Sequence, residues 1–183
     1  ALSDHFAAVH VLCLRKGKYS LPEHIVVSSL GKDEGKSRAT YMFRFYRTLW
    51  SLRGEYDTVF VHMNAEYVVL GGLVWRMLGK KIVLWRNPKD GGLIIRLAVL
   101  FAHTVCYTSP QSFVARYSNA KQMPVGIDTD AYTLPHTGKR GTLLSLGRFD
   151  PVKKMDILLA ALDMLEPTIV LDIYGEPTKG RER

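Results

Sequence analysis

Cysteine is nearly absent from this chain, with two residues in 183, Cys13 and Cys106. Each sits in an apolar, strand-like run. Such residues behave as small buried hydrophobes rather than as a disulfide framework, and they fit a reducing compartment. Metal-ligand spacings of the C-x-x-C or H-E-x-x-H type are missing, and neither a metal nor another cofactor is expected. Also missing is any apolar run near the roughly 20 residues that span a bilayer. The longest candidate, residues 93–105, is interrupted by Arg96 and His103. The N-terminus opens Ala-Leu-Ser-Asp-His, without the basic and apolar regions of a signal peptide. The chain has no initiator Met, and it closes by running from a strand straight into Lys-Gly-Arg-Glu-Arg, so both ends read as truncated. Gly17, Gly31 and Gly35 do not form G-x-G-x-x-G, and no Walker A sequence occurs, which argues against dinucleotide oxidoreduction and P-loop chemistry. Acidic residues are in deficit, 17 Asp+Glu against 25 Lys+Arg, a formal net charge of +8. That surplus favours anionic partners: nucleotide phosphates, acidic lipid surfaces or nucleic acid.

What is present is an alternation of strand and helix. Hydrophobic content of 47% with 23% charged residues describes a globular chain able to bury a core. Its length suits one domain, or one plus part of another. Strands are expected over 9–14, 24–30, 56–62, 81–86 and 104–108. Helices are expected over 38–53, 66–78 and 93–102, with a short one opened by Ser109-Pro110 as N-cap and first-turn proline and ending near Tyr117. This order argues for a parallel sheet covered on both faces. The helix over 38–53 carries Met42, Phe43, Phe45, Tyr46, Leu49 and Trp50 with Arg38, Arg44, Arg47 and Arg53 around them. An aromatic, Arg-flanked helix can bind an anionic membrane surface; more often it is a core helix with a solvated basic side.

The densest pattern runs from Leu143 to Leu162. An apolar run ends in Gly147; a loop then carries Arg148 and Lys153; Met155, Leu158, Leu159, Leu162 and Leu165 recur at helical spacing. Residues 169–175 form another strand ending in glycine, Gly175. This β-loop-α-β unit places two cations at the carboxyl end of a strand, where open parallel sheets bind ligands. A planar guanidinium beside a mobile ammonium suits a diphosphate.

Gly147-Arg148-x-x-Pro151-x-Lys153-x-x-Asp156, followed by Leu158-Leu159-x-Ala161-Leu162, resembles the opening of the C-terminal domain in group 1 (family 4) retaining glycosyltransferases of the GT-B fold. The resemblance continues backwards in order: Asp57, Val59 and His62; Lys81, Ile82 and Val83; Ser109; and Pro124-Val125-Gly126-Ile127-Asp128-Thr129, which leads into the linker. It implies an incomplete N-terminal, acceptor-side Rossmann-like domain over 1–135. The beginning of a C-terminal, donor-binding domain follows over 136–183, with the linker at 133–138. It implies transfer of a sugar from a nucleotide diphosphate-sugar to an acceptor hydroxyl with retention, and the fragment itself is expected to be inactive. Arg148 and Lys153 would then hold the donor diphosphate as the catalytic cations. Gly147, His62, Arg86 and Asn87 would line the donor cleft. The acceptor would be a glycan or a lipid-linked molecule. The setting would be cytoplasmic, with peripheral contact at the inner face of a membrane, and no nucleic acid would be involved.

This sequence departs from the family pattern in places. Lys154 stands where the family usually has Gly. Trp85-Arg86-Asn87-Pro88 replaces a strand-end His, and Val125 replaces the Asn of Pro-Asn-Gly. Asp128 and Asp130 occupy a turn-like segment that favours local hydrogen bonding over metal ligation. Ser109 reads as a cap, with no G-x-S-x-G elbow around it. Lys139-Arg140 and Arg181-Glu182-Arg183 are short basic clusters, weak as nucleic-acid signals. The alternatives are a non-catalytic nucleotide- or sugar-binding relative, a basic module for anionic membranes or nucleic acid, and a sugar-nucleotide epimerase of the same architecture.

Overall fold

Among the described residues of the computed structural model every strand pair is parallel, so each partner strand must be reached by a crossover rather than a hairpin. The structure describes residues 5–32, 34–126, 130 and 142–176. Along these run β1 (Val9–Cys13), β2 (Ile25–Ser29), α1 (Arg38–Ser51), β3 (Thr58–His62), α2 (Ala65–Met77), β4 (Lys81–Trp85), α3 (Leu93–Phe101), β5 (Thr104–Tyr107), β6 (Ala120–Gln122), β7 (Thr142–Leu146), α4 (Met155–Leu162) and β8 (Val170–Tyr174). The chain divides into two compact units, Ala1–Gly126 and Ile127–Arg183. The expected boundary at 135 and the linker at 133–138 lie outside the described residues.

In the first unit, β3-β4-β5-β6 form one sheet in sequence order, and β1 pairs with β2. Right-handed crossovers between strands that advance in one direction put the intervening helices on one face. The side chains agree. Register aligns Val61, Leu84 and Val105 on that face, beside Val59 and Ile82. They join Val68 and Trp75 of α2, Ile95, Ala98 and Val99 of α3, and Phe45 and Leu49 of α1 in one buried cluster. The close approach of α2 and α3 needs Gly72, where a Cβ would lie 2.6 Å from the Phe101 ring. Helical cover was expected on both faces, and among the described residues it lies on one. On the opposite face Phe60 is 47% exposed, with Val83 and Trp85 half-buried.

Two local expectations change. The region after β5 is a turn followed by a short 3-10 helix, Phe113–Arg116, whose N-cap is Ser112 rather than Ser109. The strand β6 has no apolar alternation in Ala-Lys-Gln to announce it; it exists through pairing of Ala120 with Val105 and Gln122 with Tyr107.

In the second unit, β7 and β8 pair with α4 as their crossover. Met155, Leu158 and Leu162 of α4 and Leu171 and Ile173 of β8 are half-buried, and no described side chain there is fully buried. The helical spacing extends to Leu165, but α4 stops at Leu162. Pro167 disfavours helical backbone at Glu166, and the chain turns before it.

Candidate functional site

The carboxyl end of β7 and β8 is built from two glycines brought together. Backbone bonding runs past the strands: Gly147 donates its N–H to the Tyr174 carbonyl at 3.0 Å, and Phe149 to the Glu176 carbonyl at 3.1 Å. A Cβ on Gly175 would fall 1.8 Å from the Gly147 oxygen, so only glycine fits there. Arg148 follows Gly147 and is exposed. Pro151 then opens a 3-10 turn, Pro151–Lys153, pinned by Lys153 N–H donating to the Asp150 carbonyl at 2.8 Å. The turn brings Lys153 back: its Cε lies 4.0 Å from where a Gly147 Cβ would be. Among the described residues neither Arg148 nor Lys153 makes an ion pair or side-chain hydrogen bond. Gly147, Arg148 and Lys153, expected as one site, do come together at one strand end.

Lys154 has φ 52° and ψ 46°, the left-handed region. Glycine would be the easier residue at that position, since a side chain there meets its own backbone. Lys154 is also the N-cap of α4, and it makes no side-chain cap. The first turn of α4 has no side-chain cap and a single acidic residue, Asp156, and the Ile157 amide donates to the Lys154 carbonyl at 3.1 Å.

The first unit has its own strand-end cluster. His62 lies beside Trp85 in register, exposed, with its ring stacked on Phe60 at 6.3 Å and 12°. The next residue, Met63, takes φ 68° and donates its N–H to the Trp85 carbonyl at 2.8 Å. Arg86 donates from its guanidinium to the Met63 carbonyl, and so buttresses that left-handed turn. Asn87 is committed to the chain itself. Its Oδ1 accepts from the N–H groups of Thr108 at 2.7 Å and Ser109 at 3.2 Å, and its Nδ2 donates to Thr108 Oγ1 at 2.6 Å. The structure therefore gathers His62, Arg86 and Asn87 at adjacent strand ends. It leaves His62 open and gives Asn87 a positioning task.

Ser109 closes a local turn, donating to Gln111 Oε1 at 2.8 Å and accepting from Gln111 N–H at 3.3 Å. Cys106, in register with Trp85, is buried, and burial pushes its thiol above the usual range, which makes it a poor nucleophile. Cys13 is half-buried, and both cysteines are free. Among the described residues no group of three or more His, Cys, Asp or Glu could hold a metal. Asp128, Lys139-Arg140 and Arg181-Glu182-Arg183 lie outside the described residues. An apolar groove of about 370 Å³ opens beyond the ends of β1 and β2, lined by Leu14, Leu30, Met42, Phe45 and Leu70 with Arg38 and Glu66 among them. Arg44 of α1 donates two hydrogen bonds to Glu34, of 2.8 and 2.9 Å.

Three elements of these sites escaped the sequence: Thr108 as partner of Asn87, the left-handed Met63, and the steric demand on Gly175. Only the last left a signal, a glycine ending an apolar strand run.

The parallel sheets with flanking helices have the GT-B fold. Over 96% of the chain it superposes on HepE (Alr3699) of Anabaena, crystallised in complex with UDP, with a TM-score of 0.69 at 15% identity. MurG of Acinetobacter baumannii matches over 95% of the chain with a TM-score of 0.50 at 16% identity. The chain spans 62% of the length of the former and 59% of the latter. No family model matches the sequence, and no curated protein matches it.

Proposed function

We propose that this chain belongs to a nucleotide-sugar-dependent glycosyltransferase that transfers a sugar to an acceptor hydroxyl with retention of configuration. One observation carries the reading: Arg148 and Lys153 flank an open, glycine-built strand end, their charges unmatched among the described residues. The fold and a UDP-bound structural neighbour support it. In a retaining transfer of this kind, the acceptor attacks the face from which the nucleotide leaves. Negative charge then grows on the departing diphosphate. Two preorganised cations stabilise that charge as it forms, without reorganisation at the moment of reaction. Arg148 supplies the planar fork and Lys153 the mobile point charge. In this reading no metal shares the task, and the setting is cytoplasmic. His62, the open group on the first unit's strand ends, serves the acceptor side. The acceptor, a glycan or lipid-linked molecule, rests its apolar portion in the groove beside Met42.

The test is turnover. Arg148→Ala, placed in the enzyme that contains this chain, should lower turnover on the order of 10²-fold or more. Near-wild-type transfer in that variant would end the assignment. A second reading, a relative that binds donor without transferring it, is favoured by one observation. Where the family carries a strand-end His, this chain has Trp85-Arg86-Asn87, and the Asn87 amide is occupied by Thr108 and Ser109. Calorimetric binding of nucleoside diphosphate-sugars with no product formed would select it.

A further inference from the structure

The strand β4 runs through the core of the first unit, yet one of its amides is satisfied by a side chain that stays exposed. Ile82 is 0% exposed, and both of its backbone groups turn to His103, the residue just before β5. The Ile82 carbonyl accepts from the His103 N–H at 2.9 Å, and the Ile82 N–H donates to His103 Nδ1 at 3.0 Å. The imidazole thereby adds a bond to the short β4–β5 ladder, whose register pairs are Val83 with Thr104, Leu84 with Val105 and Trp85 with Cys106. The backbone carbonyls that precede it are taken by other side chains. Arg76 of α2 donates to those of Phe101 at 3.0 Å and Leu100 at 3.3 Å. Asn119 Nδ2 donates to those of Ala102 at 3.0 Å and Val99 at 3.1 Å.

An imidazole differs from a carbonyl in one respect: it can take up a proton. Nδ1 accepts only while it carries no hydrogen, which fixes neutral His103 as the Nε2–H tautomer. Once protonated, the ring has two donors, and the Ile82 N–H faces a donor where it had an acceptor. A buried amide left in that state costs free energy. The new charge also enters cationic surroundings. Partial burial comes first, and then Arg76 from α2 and Lys81 from β4, in holding the His103 pKa below the ordinary histidine value. Asn119, from the turn before β6, carries no charge, and no carboxylate among the described residues offsets the two cations. His103 is exposed, so solvent protons reach it.

We propose that His103 is a proton-sensitive latch: when neutral it fastens the turn between α3 and β5 to β4, and in mildly acid solution it releases that turn. The proposal does not depend on the transfer reading, and its test needs no substrate. The sign follows from the direction of the shift. The folded chain takes up this proton less readily than the unfolded one. The latch's contribution is therefore whole above the unfolded value of about 6.5 and is lost as pH falls through the window beneath it.

The 183-residue chain is unfolded with urea at a series of pH values from about 8 to about 5, the range in which histidine titrates, beside His103→Asn. The asparagine Oδ1 lies as many bonds from the backbone as Nδ1, so it keeps an acceptor for Ile82 and does not titrate. The other histidines are common to both chains, and the difference between the two isolates this one. Similar stability at the alkaline end is expected, with the parent falling behind at the acid end. Hydrogen exchange at Ile82, corrected for the intrinsic rate, should lose protection on the order of fivefold across that range in the parent, the weight of one hydrogen bond, and hold in His103→Asn. If the variant does not fold, nitrogen NMR of the parent's imidazole decides, with the Nε2–H tautomer at neutral pH and a titration midpoint below about 6.5 expected. The latch is overturned by an Nδ1–H tautomer, by a midpoint above that value, by Ile82 protection that ignores pH, or by two chains whose stabilities fall in parallel.

Discussion

The two units end their strands in similar ways and put those ends to different use. In the first, the polar groups beyond β3, β4 and β5 bind one another: Arg86 holds the Met63 carbonyl, and Asn87 holds Thr108 and Ser109. In the second, backbone bonds join the strand ends, Gly147 to Tyr174 and Phe149 to Glu176, and among the described residues Arg148 and Lys153 make no ion pair or side-chain hydrogen bond. A side chain tied into its own fold is a fixture. One that the backbone positions but nothing neutralises is ready for a charged ligand. The same parallel-sheet edge thus yields a self-bonded platform in one unit and, in the proposed reading, an anion grip in the other.

The largest effect should come from closing the second edge. Gly175→Ala puts a Cβ 1.8 Å from the Gly147 oxygen, a backbone atom that cannot swing away. Either β8 separates from β7 or the bond from Phe149 to Glu176 breaks. We expect a loss of about 3 kcal/mol from the unit, at the upper end of overpacking costs, with donor diphosphate binding lost beside it. Gly54→Ala, where nothing lies within 4 Å of the added atom, is the control. Chemical denaturation reads both. A Gly175→Ala chain as stable as the Gly54→Ala chain would show that the two strand ends do not meet this way.

Asn87→Ala should act in the first unit, and on stability rather than on ligand. Thr108 and Ser109 would lose their acceptor, but both lie near solvent, so the cost should be about 1–2 kcal/mol. Faster amide exchange at Thr108 should accompany it. Asn87→Asp keeps the acceptor and should retain protection at both amides. Unchanged stability with lost donor binding would make Asn87 a ligand contact and erase the contrast between the edges.

Much of this was legible because apolar periodicity and strand-ending glycines report directly on core and edge. Ile82-Val83-Leu84 and Val59-Phe60-Val61 marked their strands, and the spacing of Gly147, Arg148 and Lys153 marked the loop that brings them to one strand end. What the sequence withheld depends on partners distant along the chain. Ala120–Gln122 is a strand only because Val105 lies beside it. Asn87 is a clamp only because β5 ends opposite it. Met63 takes a left-handed turn, and the Arg86 guanidinium supports it from the adjacent strand. The apolar residues of α1 were visible in the sequence, yet only the structure shows that Phe45 and Leu49 face the core while Phe43 and Trp50 do not.

The smallest effect is the most discriminating for the second edge. Lys154 at φ 52° carries a strain of about 1–2 kcal/mol for an L-residue. Glycine removes that strain and adds about 0.4–1 kcal/mol of unfolded-state entropy, so Lys154→Gly should stabilise the unit by about 0.5 kcal/mol. It also removes a cation next to Lys153. Lys154→Ala removes the same charge and keeps the strain, so comparing the two separates conformation from charge. If donor affinity falls equally in both variants, the ammonium belongs to the grip and explains why this chain tolerates lysine where glycine is easier. If affinity holds in both and only Lys154→Gly gains stability, the grip consists of Arg148 and Lys153 and the lysine is a conformational burden. A Lys154→Gly chain less stable than the parent would contradict the left-handed geometry itself.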